Sequence, residues 1–414
     1  MAPFGEKGAL LEAASANGPL RGCRVLDVTN RISGSYTGRL LADIGAEVIK
    51  VEPTSGDPAR KAVVATGPAA GRYSPLFMYC NLNKFGITLN LSTATGRGVL
   101  SQLSATADCV ILDDHPDHGG LVEDDQLTQT GRAPVLTWIT PFGKTGPYAG
   151  FSMEELNLYH AGADGYVMPA GLAWELARNR EPLRAGHYLA SYQAGLTAAV
   201  GAAAALFRSM REGLSQTVDV SEQEAQLSLN RSTISKLLQD GVVESRETRA
   251  FSFGGVVPCS DGFAEILTLQ DREWQALTQA LGNPDWIHAP EFSDPLQRGY
   301  HGDALNVLLR EWSAQFTREE LVRLGQQCGL PIAAYYSPAE VLELEHERKR
   351  AFFKEFVEDG LTFVYPSLPW RSEIFEWGLR RRAPELGEHN EVIYQRLLDH
   401  SPEEVALWRR SSVI

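Results

Sequence analysis

The chain has 414 residues, 43% of them hydrophobic and 22% charged, which is ordinary globular usage and leaves room for two domains with a sizeable core. Its formal net charge of −14 argues against nucleic acid or an anionic membrane as the main partner, because both demand a basic surface. The five cysteines, Cys23, Cys80, Cys109, Cys259 and Cys328, fall at no spacing that suggests zinc or a disulfide framework, so no metal is expected and a reducing cytoplasm fits.

The opening residues lack a basic end followed by an apolar run, so no signal peptide is expected. Arg24 to Val28 reads as a buried strand, Ile32 to Ser35 as a Gly/Ser turn, the pattern through Leu40, Leu41 and Ile44 as a helix, and Glu47 to Val51 as a second strand. Such a βαβ unit joins parallel strands, and ligands on these sheets sit at the carboxyl ends of strands, here the Asn30 to Ser35 turn and the Glu52 to Asp57 loop. The turn matches neither GxGxxG nor a Walker loop, so a nicotinamide, flavin or nucleoside triphosphate is not indicated. A strand at Gly86 to Leu91, a helix around Gly98 to Ala107 and a strand at Cys109 to Leu112 lead into the acidic run DDHPDHGGLVEDD. The strand Pro134 to Thr140 ends in the Gly/Pro loop PFGKTGPYAGF. The apolar run Tyr188 to Phe207 carries Ser191, Gln193 and Thr197 and reads as part of a buried helix reaching Arg211, not as a membrane span. Strand Gln216 to Val220 and a helix from Ser221, with Ser221 and Glu224 in a capping-box pattern, close this part.

The polar stretch 230–250 reads as a helical linker. Beyond it FSFGGVVPCSDGFAEILTL is a hairpin turning at Asp261 and Gly262, followed by helices at Glu273 to Leu281, Asp303 to Ala314 and Arg318 to Cys328. This is a small α+β domain, and α/β character returns after Glu347.

Six blocks, RVLDVTNRISGSYTGRLLADIGAEVIKVEPTSGD, NLNKFGITLNLSTATGRGVL, FGKTGPYAGF, VDVSEQEA, GLPIAAYYSPAEVLE and PELGEHNEVI, resemble in order the successive blocks of the family III CoA-transferases and their relatives, the α-methylacyl-CoA racemases. The resemblance runs from Gly22 to about Tyr394 and implies an α/β fold: a Rossmann-like large domain built from both chain ends, a small α+β domain, and two chains interlocked in a dimer. On that basis 1–229 is the first part of the large domain, 230–250 the linker, 251–340 the small domain and 341–414 the returning segment.

The resemblance also implies a chemistry. A carboxylate attacks the acyl-CoA thioester and expels CoA thiolate to give a mixed anhydride, the thiolate attacks the enzyme's acyl carbon and releases the donor acid, and the resulting enzyme-CoA thioester reacts with the acceptor acid. In relatives the aspartate stands four residues before a glycine at the head of the long helix; here Gly195 fixes that position as Ser191, with His187 and Tyr188 nearby. The racemase branch needs a His and Asp pair, with the His in a GHD turn, where this chain has MEEL with Glu154 and Glu155, and His160 beyond. Relatives meet the phosphates of coenzyme A with Arg or Lys where this chain has Pro53, Phe85 and the acidic run Asp113 to Asp125, which leaves Arg31, Ser33, Lys84 and Arg60 as phosphate partners. Gly254 and Gly255 match a Gly-rich loop that closes on the acyl intermediate in relatives. The pattern resembles the acid-lacking subunit of the benzylsuccinate CoA-transferases. It implies a non-catalytic subunit paired, as heterodimer or heterotetramer, with an acid-bearing paralogue that binds coenzyme A as substrate; no covalent cofactor, nucleic acid or membrane is expected. The alternative is an independently active transferase or racemase-like enzyme using unfamiliar residues.

Overall fold

Apolar runs bounded by turns build a six-stranded parallel sheet: β1 Arg24–Val28, β2 Glu47–Glu52, β3 Lys84–Thr88, β4 Cys109–Asp113, β5 Val135–Thr140 and β6 Thr217–Ser221. The computed structural model describes residues 18–62, 74–114, 122, 124–128, 133–168, 181–247, 253–358 and 360–414. The strand order is β3-β2-β1-β4-β5-β6, with Leu26 paired to Ile49 on one side and to Val110 on the other. The order reverses between β1 and β4, and at such a switch point the loops leaving two neighbouring strands diverge to open a crevice. The described residues divide into two compact units, those within 1–163, 185–231 and 349–414, and those within 164–184 and 232–348.

Side chains alternate across the sheet and create two cores in the first unit. Leu26, Val28, Ile49, Phe85, Ile87, Val110 and Leu112 face the helix Ala94–Thr106 and the C-terminal residues Ile393, Tyr394, Val405 and Trp408. Val25, Val48, Cys109 and Ile111 face the helices Ile32–Asp43 and Leu189–Glu212. The same alternation places Asp27, Lys50 and Lys84 on this second face, all fully buried.

The helix Ile32–Asp43 begins at Ile32, so the residues expected as a Gly/Ser turn form its first turn. Small residues are needed there for close approach: a Cβ on Gly34 would lie 2.5 Å from the Thr29 Cβ. The strand expected at Gly86 starts at Lys84 instead, and the helix expected near Gly98 starts at Ala94, where the Thr93 hydroxyl accepts from the Gly96 N–H.

Among the described residues one helix, Leu189–Glu212, has the length and composition to cross a membrane. Its Ala190, Ala194, Ala198, Ala202 and Ala205 are buried. A Cβ at Gly195 would sit 2.6 Å from the Ser33 carbonyl oxygen, and the Thr37 hydroxyl donates to the Gly195 carbonyl at 3.0 Å. The glycine is thus where the two helix backbones touch.

The C-terminal segment covers the sheet edge. His389 Nδ1 accepts from the Gly86 N–H at 3.1 Å, Asn390 Oδ1 from the Thr88 N–H at 2.9 Å, and the Tyr394 hydroxyl donates to the Thr88 carbonyl at 2.6 Å. These bonds satisfy backbone groups that an open edge strand would leave to another chain. The same segment carries the antiparallel hairpin of Phe353–Glu358 and Leu361–Pro366.

The second unit has its own core. Strands Gly255–Cys259, Gly262–Ile266 and Ile332–Ala334 form an antiparallel sheet, covered by helices Asp271–Ala280, Gly302–Ser313 and Arg318–Cys328. The polar stretch before it contains the helix Arg231–Asp240. Gly254 and Gly255 lead into the hairpin with φ of +84° and +80°, and a Cβ at Gly254 would meet the Ile266 carbonyl at 2.7 Å.

Candidate functional site

At the carboxyl ends of β1 and β6 a cavity of about 230 Å³ is lined by residues that include Asn30, Arg31, Glu154, Glu155, Ser191 and Glu222. The crevice between β1 and β4 is where a doubly wound sheet admits a phosphate to the N-terminus of its first helix. Here a side chain takes that place. The Asp113 carboxylate, 1% exposed, accepts from the Asn30 and Arg31 N–H groups at 2.7 and 2.8 Å.

Arg31 is held on several sides. It bonds Asp114 at 3.2 Å and the Met153 carbonyl at 2.9 Å, and stands 3.7 Å from Glu222. Burial works against its charge, but Glu222, Asp114 and Asp113 outweigh it and raise the guanidinium above its ordinary value. Ser33, fully buried, donates to Glu222 at 2.5 Å. Burial pushes the Glu222 carboxyl up to about 7 against the opposing pull of Arg31 and Ser33. Its second oxygen and both side-chain amide atoms of Asn30 are buried without a hydrogen-bond partner among the described residues.

Lys84, named above as a phosphate partner, has its ammonium inside the protein. It is fully buried and bonds Asp27 at 2.7 Å, the Ser35 carbonyl at 2.6 Å and Asn81 at 2.8 Å, so it presents no cation to solvent. Arg60 bonds both oxygens of Glu52 at 2.7 Å and lies over the Phe77 ring. Within the acidic run Asp124 accepts from the Trp138 indole and from Lys144, while Asp125 is exposed. Residues 115–121 and Glu123 lie outside the described residues.

Ser191 is 7% exposed at the head of the long helix. Its hydroxyl does not cap the helix; it donates to Glu155 at 2.6 Å, and the Glu155 carboxylate also accepts from the Ala190 and Ser191 N–H groups at 3.0 and 2.9 Å. Glu155 therefore supplies the cap, satisfying amides that a helix start leaves free and countering the positive end of its dipole. The base nearest the Ser191 hydroxyl is Glu155; His187 is exposed, with φ of +64°. Glu154, the extended residue before the helix Glu155–Ala161, is exposed, while Glu155 is buried.

Sequence reasoning included Asn30 in the candidate first turn but missed Glu222. Both stand just past the carboxyl ends of strands, β1 and β6, so the rule that singled out the first turn also applied to VDVSEQEA. There the Ser221 hydroxyl accepts from the Glu224 N–H at 3.2 Å, which starts the helix that carries Glu222 inward.

A sequence profile of the CoA-transferase family III matches residues 20–390. The chain is 28% identical to the succinyl-CoA–D-citramalate CoA-transferase of Chloroflexus aurantiacus, covering 96% of this chain and 98% of that one. It is 27% identical to the succinyl-CoA:(R)-benzylsuccinate CoA-transferase subunit BbsE of Thauera aromatica, over 89% and 92% of the two chains. The crystal structure of a CAIB/BAIF family protein from Brucella suis superposes with a TM-score of 0.78 at 25% identity, covering 92% of this chain and all of that one. The doubly wound sheet, the ordered blocks and these similarities agree, and the chain belongs to the CoA-transferase family III.

Proposed function

We propose that this chain is the non-catalytic, structural subunit of a heteromeric family III CoA-transferase whose acid-bearing paralogue performs the chemistry and binds coenzyme A. The observation that carries this reading is the state of position 191. The residue there is a serine, and the carboxylate that its hydroxyl meets, Glu155, already accepts three hydrogen bonds, two of them from backbone amides. A carboxylate nucleophile must keep an oxygen lone pair free for the thioester carbon, and each donor on Glu155 lowers its nucleophilicity. An acylated serine would be an ordinary ester, without the transfer potential to return an acyl group to the CoA thiol. The Asp113 carboxylate at the switch point adds support, since it occupies the backbone donors that a ligand phosphate would use.

The names of the relatives suggest the substrates: succinyl-CoA as donor and a substituted dicarboxylic acid, such as (R)-2-benzylsuccinate, citramalate or malate, as acceptor. The test is to purify this chain alone and with an acid-bearing paralogue, and to follow CoA ester exchange from succinyl-CoA to these acids. Turnover is expected only in the complex, and only while the paralogue keeps its aspartate. Equal turnover by this chain alone would overturn the proposal.

The 2.6 Å contact between Ser191 and Glu155 favours a second reading, an enzyme acting alone with Glu155 as its carboxylate. Under that reading Glu155→Gln abolishes the activity of the isolated chain. Under the first there is no such activity to lose.

A further inference from the structure

Three carboxyl side chains, Glu154, Glu155 and Glu222, wall the cavity at the strand ends, against one cation among the described residues, Arg31. That guanidinium already bonds Asp114 and the Met153 carbonyl and stands beside Glu222. An anion entering here would meet three carboxyls and only a cation that is already paired, so Coulomb repulsion disfavours a carboxylate or a phosphate. A neutral group or a cation can enter.

Asn30 decides between those two. It is 5% exposed and lines the cavity, and neither its amide oxygen nor its amide nitrogen has a hydrogen-bond partner among the described residues. The same holds for the second carboxyl oxygen of Glu222, which is 1% exposed. Buried polar groups are nearly always bonded, and a molecule inside the cavity would serve these. An ammonium has donors only, which suits the two oxygens and leaves the Asn30 nitrogen unmet. A primary carboxamide offers both kinds of group: its carbonyl accepts from Asn30 Nδ2, and its two N–H groups donate to Asn30 Oδ1 and to Glu222. Ile32, Pro58, Ala59 and Leu158 supply apolar wall for a short alkyl group. At about 230 Å³ the cavity falls below the roughly 300–1,000 Å³ of drug-sized sites, so the ligand is small.

We propose that this cavity binds a small neutral primary carboxamide, paired through its C=O and one N–H with the Asn30 side chain, donating its second N–H to Glu222 and resting its alkyl part on Ile32, Ala59 and Leu158. A carboxylic acid of the same shape is refused at neutral pH, because its anion brings charge and lacks the donors. The inference concerns what this chain binds by itself and holds whether or not it turns over CoA esters, so its test reads binding and not turnover.

Ligand-detected NMR titration of the full chain near neutral pH with isobutyramide, isobutyrate and isobutylammonium, which share one branched alkyl group, tests it. Isobutyramide is expected to bind at least about tenfold more tightly than either of the others, since each of those leaves a buried polar group unmet. Asn30→Leu removes an amide that makes no side-chain hydrogen bond among the described residues, so the fold should be kept while isobutyramide binding weakens by about tenfold. Ala62→Phe, at an exposed position on the cavity wall, fills the space and should abolish binding; thermal unfolding checks that both variants are folded. No saturable binding of isobutyramide, binding of isobutyrate or isobutylammonium as tight as that of the amide, or amide affinity unchanged in either folded variant would each overturn the proposal.

Discussion

Replacing Lys84 by Met tests whether this lysine is structural. The Asp27 carboxylate, fully buried, lies 2.7 Å from the Lys84 ammonium and 3.7 Å from that of Lys50, which itself pairs with Asp57 at 2.8 Å. At an effective dielectric of about 20, a pair at 2.7 Å has a gross attraction of about 6 kcal/mol. Removing Lys84 also relieves the several kcal/mol that burying its ammonium costs, while Asp27 stays buried with only the more distant Lys50. The expected net loss is therefore about 3–5 kcal/mol, the range for breaking a buried pair on one side. Urea unfolding of the first unit measures it, and Lys84→Met combined with Asp27→Leu should recover much of the loss because no charge is stranded. Burial pushes the Asp27 carboxyl up, but Lys50 and Lys84 outweigh it and hold it below its ordinary value. Its contribution is thus present above that ordinary value and is lost as pH falls below it, so the variant should lose part of this acid sensitivity. Unchanged stability in Lys84→Met together with weakened CoA binding would refute the reasoning and return Lys84 to a ligand role.

Glu222→Gln should flatten the dependence of stability on pH. The carboxyl is raised from 4.5 to about 7, so the folded state binds more protons between those values and stability falls as pH rises through them, by roughly 3 kcal/mol in all. Denaturant unfolding from pH 5 to 8 checks this, and equal slopes for the two proteins would refute it. Ser191→Ala removes one charge-assisted bond to Glu155 but leaves both backbone bonds, so stability should drop by about 1–2 kcal/mol with the turnover of the complex unchanged. A hundredfold loss of turnover, about 2.7 kcal/mol of transition-state stabilisation, would make Ser191 a catalytic residue.

The sheet was legible because its strands are short apolar runs between turn residues, and because a βαβ start leaves little choice of connection. Strand β5 and the long helix were placed to within a residue at each end. Contacts between distant residues were not legible. Lys84 and Asp27 stand 57 residues apart, and nothing in NLNKFGI marks the lysine as pointing into the face beneath the first helix. Ser33 and Glu222 are 189 residues apart, and Asn30 and Asp113 are 83 apart. Periodicity tells which face a residue takes; it does not tell which partner waits there. That Glu155 stands beside Ser191 was not legible for the same reason, since it lies 36 residues upstream in a helix of its own.

The covering of β3 by His389, Asn390 and Tyr394 bears on how the protein is made. The first unit draws on residues before 231 and after 349, so its N-terminal strands leave the ribosome long before the residues that finish them. At typical elongation rates of about 5–20 residues per second the wait is on the order of tens of seconds, during which the second unit can fold because its described residues form their own core. Throughout that interval the Gly86 and Thr88 amides face solvent, and Val99, Leu100 and Leu103 have no Tyr394 or Trp408 against them. Nascent chains in this state are open to wrong pairing between strand edges, including those of neighbouring copies on one polysome. A chaperone that shields the β3 edge during translation, or a partner chain that reaches it first, would therefore govern how much folded protein a cell recovers, independently of how stable the finished molecule is.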